Sequence, residues 1–229
     1  MRAGRTFQEA SRAQVSLLAP LEKKCLIGLA RRMPRWVNSD HLTALGLASL
    51  AGAGLSYGCA RWNPAGLLWV VLFLVLNWLG DSLDGTLARV RNQQRPRYGF
   101  YIDHVADAFG TLLLLAGLAL SGYMSERIAT GLLVAYFMLS IEVYLATYTL
   151  GTFHLSFWKF SPTELRILLI VGNIALLYKP VVHLFGRAHL LFDVGGVIGI
   201  AGMTLMLLTA AAQHTLALYR AEPVPRGAP

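Results

Sequence analysis

The sequence predicts an all-α polytopic membrane protein with six transmembrane helices, an N-terminal interfacial helix and both termini in the cytoplasm. Of the 229 residues, 55% are hydrophobic and 14% are charged, whereas soluble domains carry about 25% charged residues. The mean hydropathy is +0.53, and the apolar residues form runs near the ~20 residues that a helix needs to cross hydrocarbon. Backbone groups inside lipid must be paired within their own segment, so we expect helices rather than strands.

The first segment, residues 1–36, is basic. Leu21, Cys25 and Leu29 recur every fourth residue, as one stripe of a helix would. We therefore expect a helix lying at the membrane surface, with a disordered basic tail as the alternative for residues 1–15. Its eight cations are Arg2, Arg5, Arg12, Lys23, Lys24, Arg31, Arg32 and Arg35.

A transmembrane domain is predicted over residues 37–220. Asn38, Ser39 or Asp40 can cap its first helix. The six apolar segments cover residues 42–60, 62–80, 99–125, 128–151, 161–178 and 194–213. Residues 221–229 are predicted to be a disordered, proline-rich tail.

Loop charge fixes the predicted orientation. If the N-terminus is cytoplasmic, all but four of the 20 lysines and arginines lie on the cytoplasmic side, the exceptions being Arg61, Arg127, Lys179 and Arg187. We expect the bacterial inner (plasma) membrane as the location. The net charge of +8 then reflects basic loops on an anionic leaflet, and no nucleic-acid partner is predicted.

Four aspartates stand out between residues 80 and 107. Asp81 and Asp84 are three residues apart, and Asp103 and Asp107 are four apart, so each pair lies on one face of a helix. Carboxylates beside apolar runs are costly and normally functional. Because four of them would repel one another, we expect a hard divalent cation, Mg²⁺ or Mn²⁺, between them. The alternative is that they are helix-end carboxylates paired with nearby arginines.

Small residues and an arginine accompany these carboxylates. Gly85, Ala88 and Gly99 leave room for a ligand to approach the backbone. Arg89 can fork onto a phosphate. The stretch therefore indicates a site for a metal ion and a phosphate.

At this point the stretch resembles the signature of the CDP-alcohol phosphotransferase family, D-x2-D-G-x2-A-R-x9-G-x3-D-x3-D, at all eight fixed positions. The resemblance implies an integral-membrane transferase of phospholipid biosynthesis. Such an enzyme passes a substituted phosphate from a CDP-linked alcohol to an acceptor alcohol and releases CMP. One of the two alcohols is a lipid.

The resemblance also implies roles for individual residues. Asp107 would be a metal ligand and the general base, and two Mg²⁺ or Mn²⁺ ions are expected. Asn38 and Thr43 would approach the nucleotide, with plain helix capping as the alternative. The implied metal ligands are Asp81, Asp84, Asp103 and Asp107, and the implied nucleotide-binding residues are Asp81, Gly85, Ala88, Arg89 and Gly99.

Three polar residues outside the signature are further candidates. Glu142, in the fourth span, could bind the acceptor headgroup or pair with a polar neighbour on another helix. Arg166 could contact a phosphate or belong to a charge cluster with Glu164. His154 could contact substrate or lie at the membrane interface.

His104 and Ala108 around the last aspartates are more similar to the choline/ethanolamine phosphotransferase branch, but donor and acceptor stay open. A homodimer is an expectation from the resemblance alone. Two other functions compete: a divalent-cation transporter and a non-catalytic membrane protein. The G-x-x-A-R element and the second glycine favour the enzyme over a cation path, and the four intact aspartates favour it over a scaffold.

Overall fold

The computed structural model describes residues 19–150 and 162–222, with side chains from Glu22 onward. The described residues form seven helices and one short hairpin. In chain order these are α1 (Ala19–Arg32), α2 (Ser39–Ala60), α3 (Gly66–Val90), α4 (Pro96–Leu120), α5 (Glu126–Leu150), α6 (Pro162–Tyr178), β1 (Val181–Leu184), β2 (Arg187–Leu190) and α7 (Leu191–Ala221). The predicted basic tail at 1–15, His154 and residues 223–229 lie outside the described residues.

Five of the helices, α2, α3, α4, α5 and α7, are long and apolar enough to cross a membrane. Helix α6 was expected to be a sixth span, but it has 17 residues. At about 1.5 Å per residue it is roughly 26 Å long, which is short of a ~30 Å hydrocarbon core. The sixth span, the surface position of α1 and the cytoplasmic termini therefore stay predictions.

Two helix boundaries matter for the site. Helix α3 does not end at Gly80 but continues to Val90, so Asp81 and Asp84 both lie on its last turns. Helix α4 begins at Pro96, where proline suits the first turn because its missing N–H would have no helical partner. Helix α4 therefore carries Gly99, Asp103 and Asp107.

The sequence prediction missed a β-hairpin between α6 and α7. Strands β1 and β2 pair antiparallel, with Val181 opposite Leu190 and Leu184 opposite Arg187. Phe185 and Gly186 form the two-residue turn, with φ of 50° and 75°, as a type I′ hairpin turn requires. Each strand has only four residues, too few for a clear alternating pattern in the sequence.

Small residues let α2 approach both α3 and α4. A Cβ on Gly80 of α3 would lie 2.7 Å from Gly46 N and 2.7 Å from Leu42 O, both on α2. A Cβ on Gly117 of α4 would collide with the backbone of Gly54, also on α2. Close backbone approach at small residues is a common way for membrane helices to associate. Helices α3 and α4 are thereby held against one common helix.

Outer helices complete the assembly. Helix α6 packs on α3, and α5 packs on both α4 and α7. Helix α6 also reaches α2, since Asn173 Nδ2 donates to Tyr57 Oη over 2.7 Å. These contacts place α5 and α6 beside the α3–α4 pair.

Helix α1 packs on α3. Leu26 and Ala30 are buried in a cluster with Leu83 and Leu87 of α3. Of the predicted apolar stripe, Cys25 is instead exposed, so the protein-facing stripe is offset by one residue. Glu22 strengthens the contact by accepting hydrogen bonds from Trp78 of α3 and Thr163 of α6.

The connection between α3 and α4 is bonded to the segment before α2 and to the first turn of α2. Arg91 donates to three backbone oxygens, those of Met33, Pro34 and Val37. Arg95 forms an exposed ion pair with Asp40. Two cations of this loop therefore have partners within the protein, which fixes where α3 ends and α4 begins.

Candidate functional site

Three carboxylates converge where α3 lies beside α4. Asp81 comes from α3, and Asp103 and Asp107 come from one face of α4. One oxygen of each lies within 4.8 Å of the others. All three residues are half-buried. Hard divalent cations prefer carboxylate oxygens in such a cluster, so the residues present fit Mg²⁺ or Mn²⁺.

Asp84 lies beside this cluster but outside its three-oxygen group. Its Oδ2 accepts a hydrogen bond of 2.8 Å from Thr43 Oγ1, and its Oδ1 accepts one from Gly85 N. Its backbone oxygen accepts a hydrogen bond of 2.9 Å from Ser39 Oγ. The fourth aspartate is therefore oriented by the first turns of α2.

An open cavity lies among the four carboxylates. Helix α2 supplies an apolar side to it through Leu47 and Leu50, whereas α3 and α4 supply the acidic side. A ligand with a charged portion and an apolar portion would find both environments there. The lining residues are Thr43, Gly46, Leu47, Leu50, Asn77, Asp81, Asp84, Asp103, Ala106 and Asp107.

Helix α6 brings a cation to the site. Arg166 Nη2 donates to Asp81 Oδ2 over 2.5 Å, and Arg166 Nε donates to Asn77 Oδ1 over 2.8 Å. Both the guanidinium and the carboxylate are largely buried, with 13% and 24% of the side chains exposed. The predicted substrate-contact candidate thus lies in the acidic cluster, bound to one of its members.

Asn77 is a site residue that the sequence analysis missed. It lies one helical turn before Asp81, it is 2% exposed, and its Nδ2 donates to Gly46 O over 3.1 Å. The available signal was an amide side chain inside an apolar run, four residues from an aspartate. Buried amides normally have hydrogen-bond partners, so such a residue indicates a polar neighbour on another helix.

The predicted nucleotide-binding residues lie on the same two helices as the cluster, α3 and α4. A Cβ on Gly85 would lie 3.5 Å from Arg89 Nη1, and a Cβ on Gly99 would meet nothing within 4 Å. Packing within the described chain therefore does not require glycine at either position. Ala88 is half-buried and Arg89 is exposed; Arg89 Nη2 donates to Thr86 Oγ1 over 3.2 Å.

Asn38 and Thr43 differ in how they are placed. Asn38 is the N-cap of α2: its side chain accepts from His41 N over 2.9 Å, and the His41 ring accepts from Asn38 N over 3.3 Å. Thr43 lines the cavity and binds Asp84. The capping interaction expected for Asn38 is present, and Thr43 is the one that reaches the carboxylates.

Glu142 pairs with a polar neighbour on another helix. Its Oε1 lies 2.5 Å from His214 Nδ1 of α7, whereas its Oε2 is buried without a partner among the described residues. Tyr136 and Tyr144, on the same helix, are close enough to Asp107 to interact with it electrostatically. At about 100° per residue, Glu142 lies on roughly the opposite side of α5 from Tyr144, so it faces away from the aspartates.

The two tyrosines were also missed by the sequence analysis. Tyr144 makes an edge-on contact with the His104 ring, with centroids 5.0 Å apart. The His104 ring in turn lies beside Phe100, and His104 Nδ1 is 2.6 Å from the Phe100 carbonyl oxygen. One wall of the site therefore combines phenol hydroxyls with aromatic rings. Eight-residue spacing on a helix was the only available signal, and it is common in buried faces.

Two comparisons with known proteins bear on this arrangement. The family model described as CDP-alcohol phosphatidyltransferase matches residues 36–210. A search of curated proteins found no match for the chain. The matched range contains the four aspartates together with α2 to α6.

Proposed function

The chain belongs to the CDP-alcohol phosphatidyltransferase family, and from this premise we propose that it is a metal-dependent membrane enzyme that transfers a substituted phosphate from a CDP-linked alcohol to an acceptor alcohol, releasing CMP. The family is one of transferases that act in phospholipid biosynthesis. The donor is CDP-diacylglycerol or a CDP-linked headgroup, and one of the two alcohols is a lipid. A homodimer and a specificity close to the choline/ethanolamine branch are parts of the same proposal.

One observation supports this proposal most directly. Asp81, Asp103 and Asp107 come from two helices, yet their oxygens gather within 4.8 Å of one another beside an open cavity. These three aspartates are three of the four acidic positions of the signature, which supports the proposal. Their donor set would hold one or two divalent cations.

The proposed reaction needs a base, and Asp107 supplies it. Asp107 accepts the proton of the acceptor hydroxyl, whose oxygen forms a bond to the phosphorus that carries the donated alcohol. The bond from that phosphorus to the CMP oxygen breaks, and CMP leaves with the electron pair. Bound divalent cations would supply charge neutralisation for the phosphates and the leaving oxygen.

Other residues position the nucleotide. Gly85 and Gly99 leave their backbone open to it, and Arg89 presents a fork of donors that suits a phosphate. Thr43 holds Asp84 in place from α2. Gly85, Arg89 and Gly99 lie on the two helices that carry the aspartates, and Thr43 lies on the neighbouring helix α2.

The depth of the site suits two dissimilar substrates. Asp81 lies nine residues before the end of α3, roughly 14 Å along its axis. The adjoining loop carries Arg91 and Arg95, and Arg97 follows in the first turn of α4. By the distribution of positive charge, this loop faces the cytoplasm. A water-soluble nucleotide and a membrane alcohol meet at this level of the bilayer.

The test is CMP release from a substrate panel. The full chain, purified in detergent, is given Mg²⁺ or Mn²⁺ with CDP-diacylglycerol, CDP-choline or CDP-ethanolamine and a set of acceptor alcohols. We expect at least one pair to yield CMP, chelation to stop it, and Asp107→Asn to abolish it without changing the helical circular dichroism. Glu126→Gln, which removes an exposed acid at the first turn of α5, is the matched control.

A negative panel has a defined meaning. If no donor–acceptor pair yields CMP, the proposed reaction is wrong. Mn²⁺ uptake into proteoliposomes in that case would support the cation-transporter alternative, because acidic residues inside a helical bundle also suit ion passage.

A further inference from the structure

Arg166 and Asp81 form a largely buried ion pair inside the acidic cluster. The guanidinium Nη2 lies 2.5 Å from Asp81 Oδ2. Asp81 is also one of the three residues whose oxygens lie within 4.8 Å of one another. Asp107 is close enough to Arg166 to interact with it electrostatically. One side chain of α6 therefore offsets part of the negative charge that α3 and α4 gather.

The position of this cation is set by the protein. Asn77 Nδ2 is bound to Gly46 O over 3.1 Å, so its Oδ1 points to Arg166 Nε at 2.8 Å. Asn77 is 2% exposed and Arg166 13% exposed. A planar guanidinium held at two donors has little freedom to leave. The pairing with Asp81 is thus part of a hydrogen-bond chain that runs from α2 through α3 to α6.

The Asp81 carboxylate cannot bind both Arg166 and a divalent ion as strongly as it would bind either one alone. A divalent ion bound to the Asp81 carboxylate would share that group with Arg166, and the two like charges would repel each other at this distance. Partly buried pairs are screened less by salt than exposed ones. The arrangement therefore makes Arg166 a competitor for one of the cluster's carboxylates.

We propose that Arg166 is a built-in counter-ion of the acidic cluster, which neutralises Asp81 in the metal-free protein and competes with a divalent cation for that carboxylate. The inference rests on the proposed metal-dependent function. Arg166 is a positioning residue in this role: it stabilises the metal-free fold and sets how tightly the cluster binds a cation.

Mn²⁺ binding without nucleotide tests the competition. The full chain in detergent is titrated with Mn²⁺, and free Mn²⁺ is measured by electron paramagnetic resonance. Arg166→Gln should bind Mn²⁺ roughly tenfold more tightly than the wild type, within the usual range for coupling between neighbouring sites. Arg166→Lys should lie between the two, because a lysine keeps the charge but cannot hold Asn77 and Asp81 together. Arg127→Gln, which removes an exposed charge in the first turn of α5, should match the wild type.

Thermal stability separates this role from a purely structural one. We expect Arg166→Gln to have a lower Tm than the wild type in EDTA, and the difference to shrink in saturating Mn²⁺, since a bound ion replaces the missing charge. An equal Tm loss in both conditions, or Mn²⁺ affinity in Arg166→Gln that is unchanged or weaker, would overturn the inference. If Arg166→Gln does not fold in EDTA, Arg166→Lys decides: affinity no tighter than the wild type overturns it.

The outcomes also separate this inference from the proposed function. Mn²⁺ binding by the wild type without tightening in the variants would remove only the competition. Failure of the wild type and every variant to bind Mn²⁺ or Mg²⁺ would remove the metal-dependent function, and the inference with it.

Discussion

Thr43 and Asp84 line the cavity and connect α2 to α3, with Thr43 Oγ1 donating to Asp84 Oδ2 over 2.8 Å. The same hydroxyl also lies 3.1 Å from Ser39 O. A hydroxyl has one proton, and the contact with Asp84 is the shorter of the two. Thr43 therefore orients Asp84, the aspartate that lies outside the three-oxygen group.

Thr43→Val should lower activity while leaving the fold intact. Valine has nearly the shape of threonine but no hydroxyl, so Asp84 loses the bond that fixes its direction. Loss of such an orienting partner commonly costs about 10- to 100-fold in metal affinity or activity. The measurement is kcat/KM for CMP release, together with the Tm.

Thr43→Ser is the control for that experiment, because it keeps the hydroxyl and loses only a methyl group. We expect it to retain most of the activity. Unchanged kcat/KM in Thr43→Val would show that the bond to Asp84 does not matter for activity. Equal losses in the valine and serine variants would mean that packing of this side chain matters as well as its hydroxyl.

Gly85→Ala and Gly99→Ala should separate packing from nucleotide binding. Neither added Cβ meets the described chain closely, and alanine favours a helix over glycine by about 1 kcal/mol. The Tm should therefore stay the same or rise. The KM for the CDP-linked donor should increase at least about tenfold if the nucleotide approaches these backbones, a loss of roughly 1.4 kcal/mol of binding.

Gly58→Ala on α2 is the matched control, since its added Cβ also meets nothing within 4 Å and it lies near the end of α2 away from the aspartates. Its KM should not change. Unchanged KM values in all three variants would exclude Gly85 and Gly99 from the nucleotide site.

Gly80→Ala should destabilise the protein. Its Cβ would lie 2.7 Å from two backbone atoms of α2, so α2 and α3 would have to separate. Overpacking of this kind typically costs about 1–3 kcal/mol. The free energy of unfolding in detergent measures it. Gly202→Ala, in open space on α7, should not destabilise; a neutral Gly80→Ala would mean that the two helices can part freely.

His214→Ala should destabilise the protein without affecting substrate binding. The change leaves the Glu142 carboxylate buried and unpaired, at a cost of about 1–3 kcal/mol. Because Glu142 faces away from the aspartates, the KM for either substrate should not move. The measurements are the Tm and the two KM values.

The double variant Glu142→Leu, His214→Leu tests the same pair. It removes both polar groups, so it should recover most of the stability that His214→Ala loses. A rise in the acceptor KM at unchanged Tm in the single variant would instead place Glu142 in substrate binding.

The sequence anticipated much of this architecture for local reasons. Hydropathy runs predicted α2, α3, α4, α5 and α7, because a spanning helix must be apolar along its own length. Three- and four-residue spacings predicted that Asp81 and Asp84, and Asp103 and Asp107, would share helix faces. Neither inference needs to know how one helix is turned relative to another.

The tertiary structure decided which faces meet. Three pairings depend on the rotation and depth of helices that are distant in the chain. They are Arg166 with Asp81, Glu142 with His214, and Asp84 with Thr43 rather than with the three-oxygen group. The rotation and depth of these helices are set where their backbones come close, as at Gly46 and Gly80, and not by the polar residues that form the pairs. The sequence by itself determined that this is a membrane protein with an acidic signature on two consecutive helices, because both properties are written in short-range spacing. Only packing decided the partners of each charge, because a side chain on a helix can reach any neighbour that its helix is turned to face.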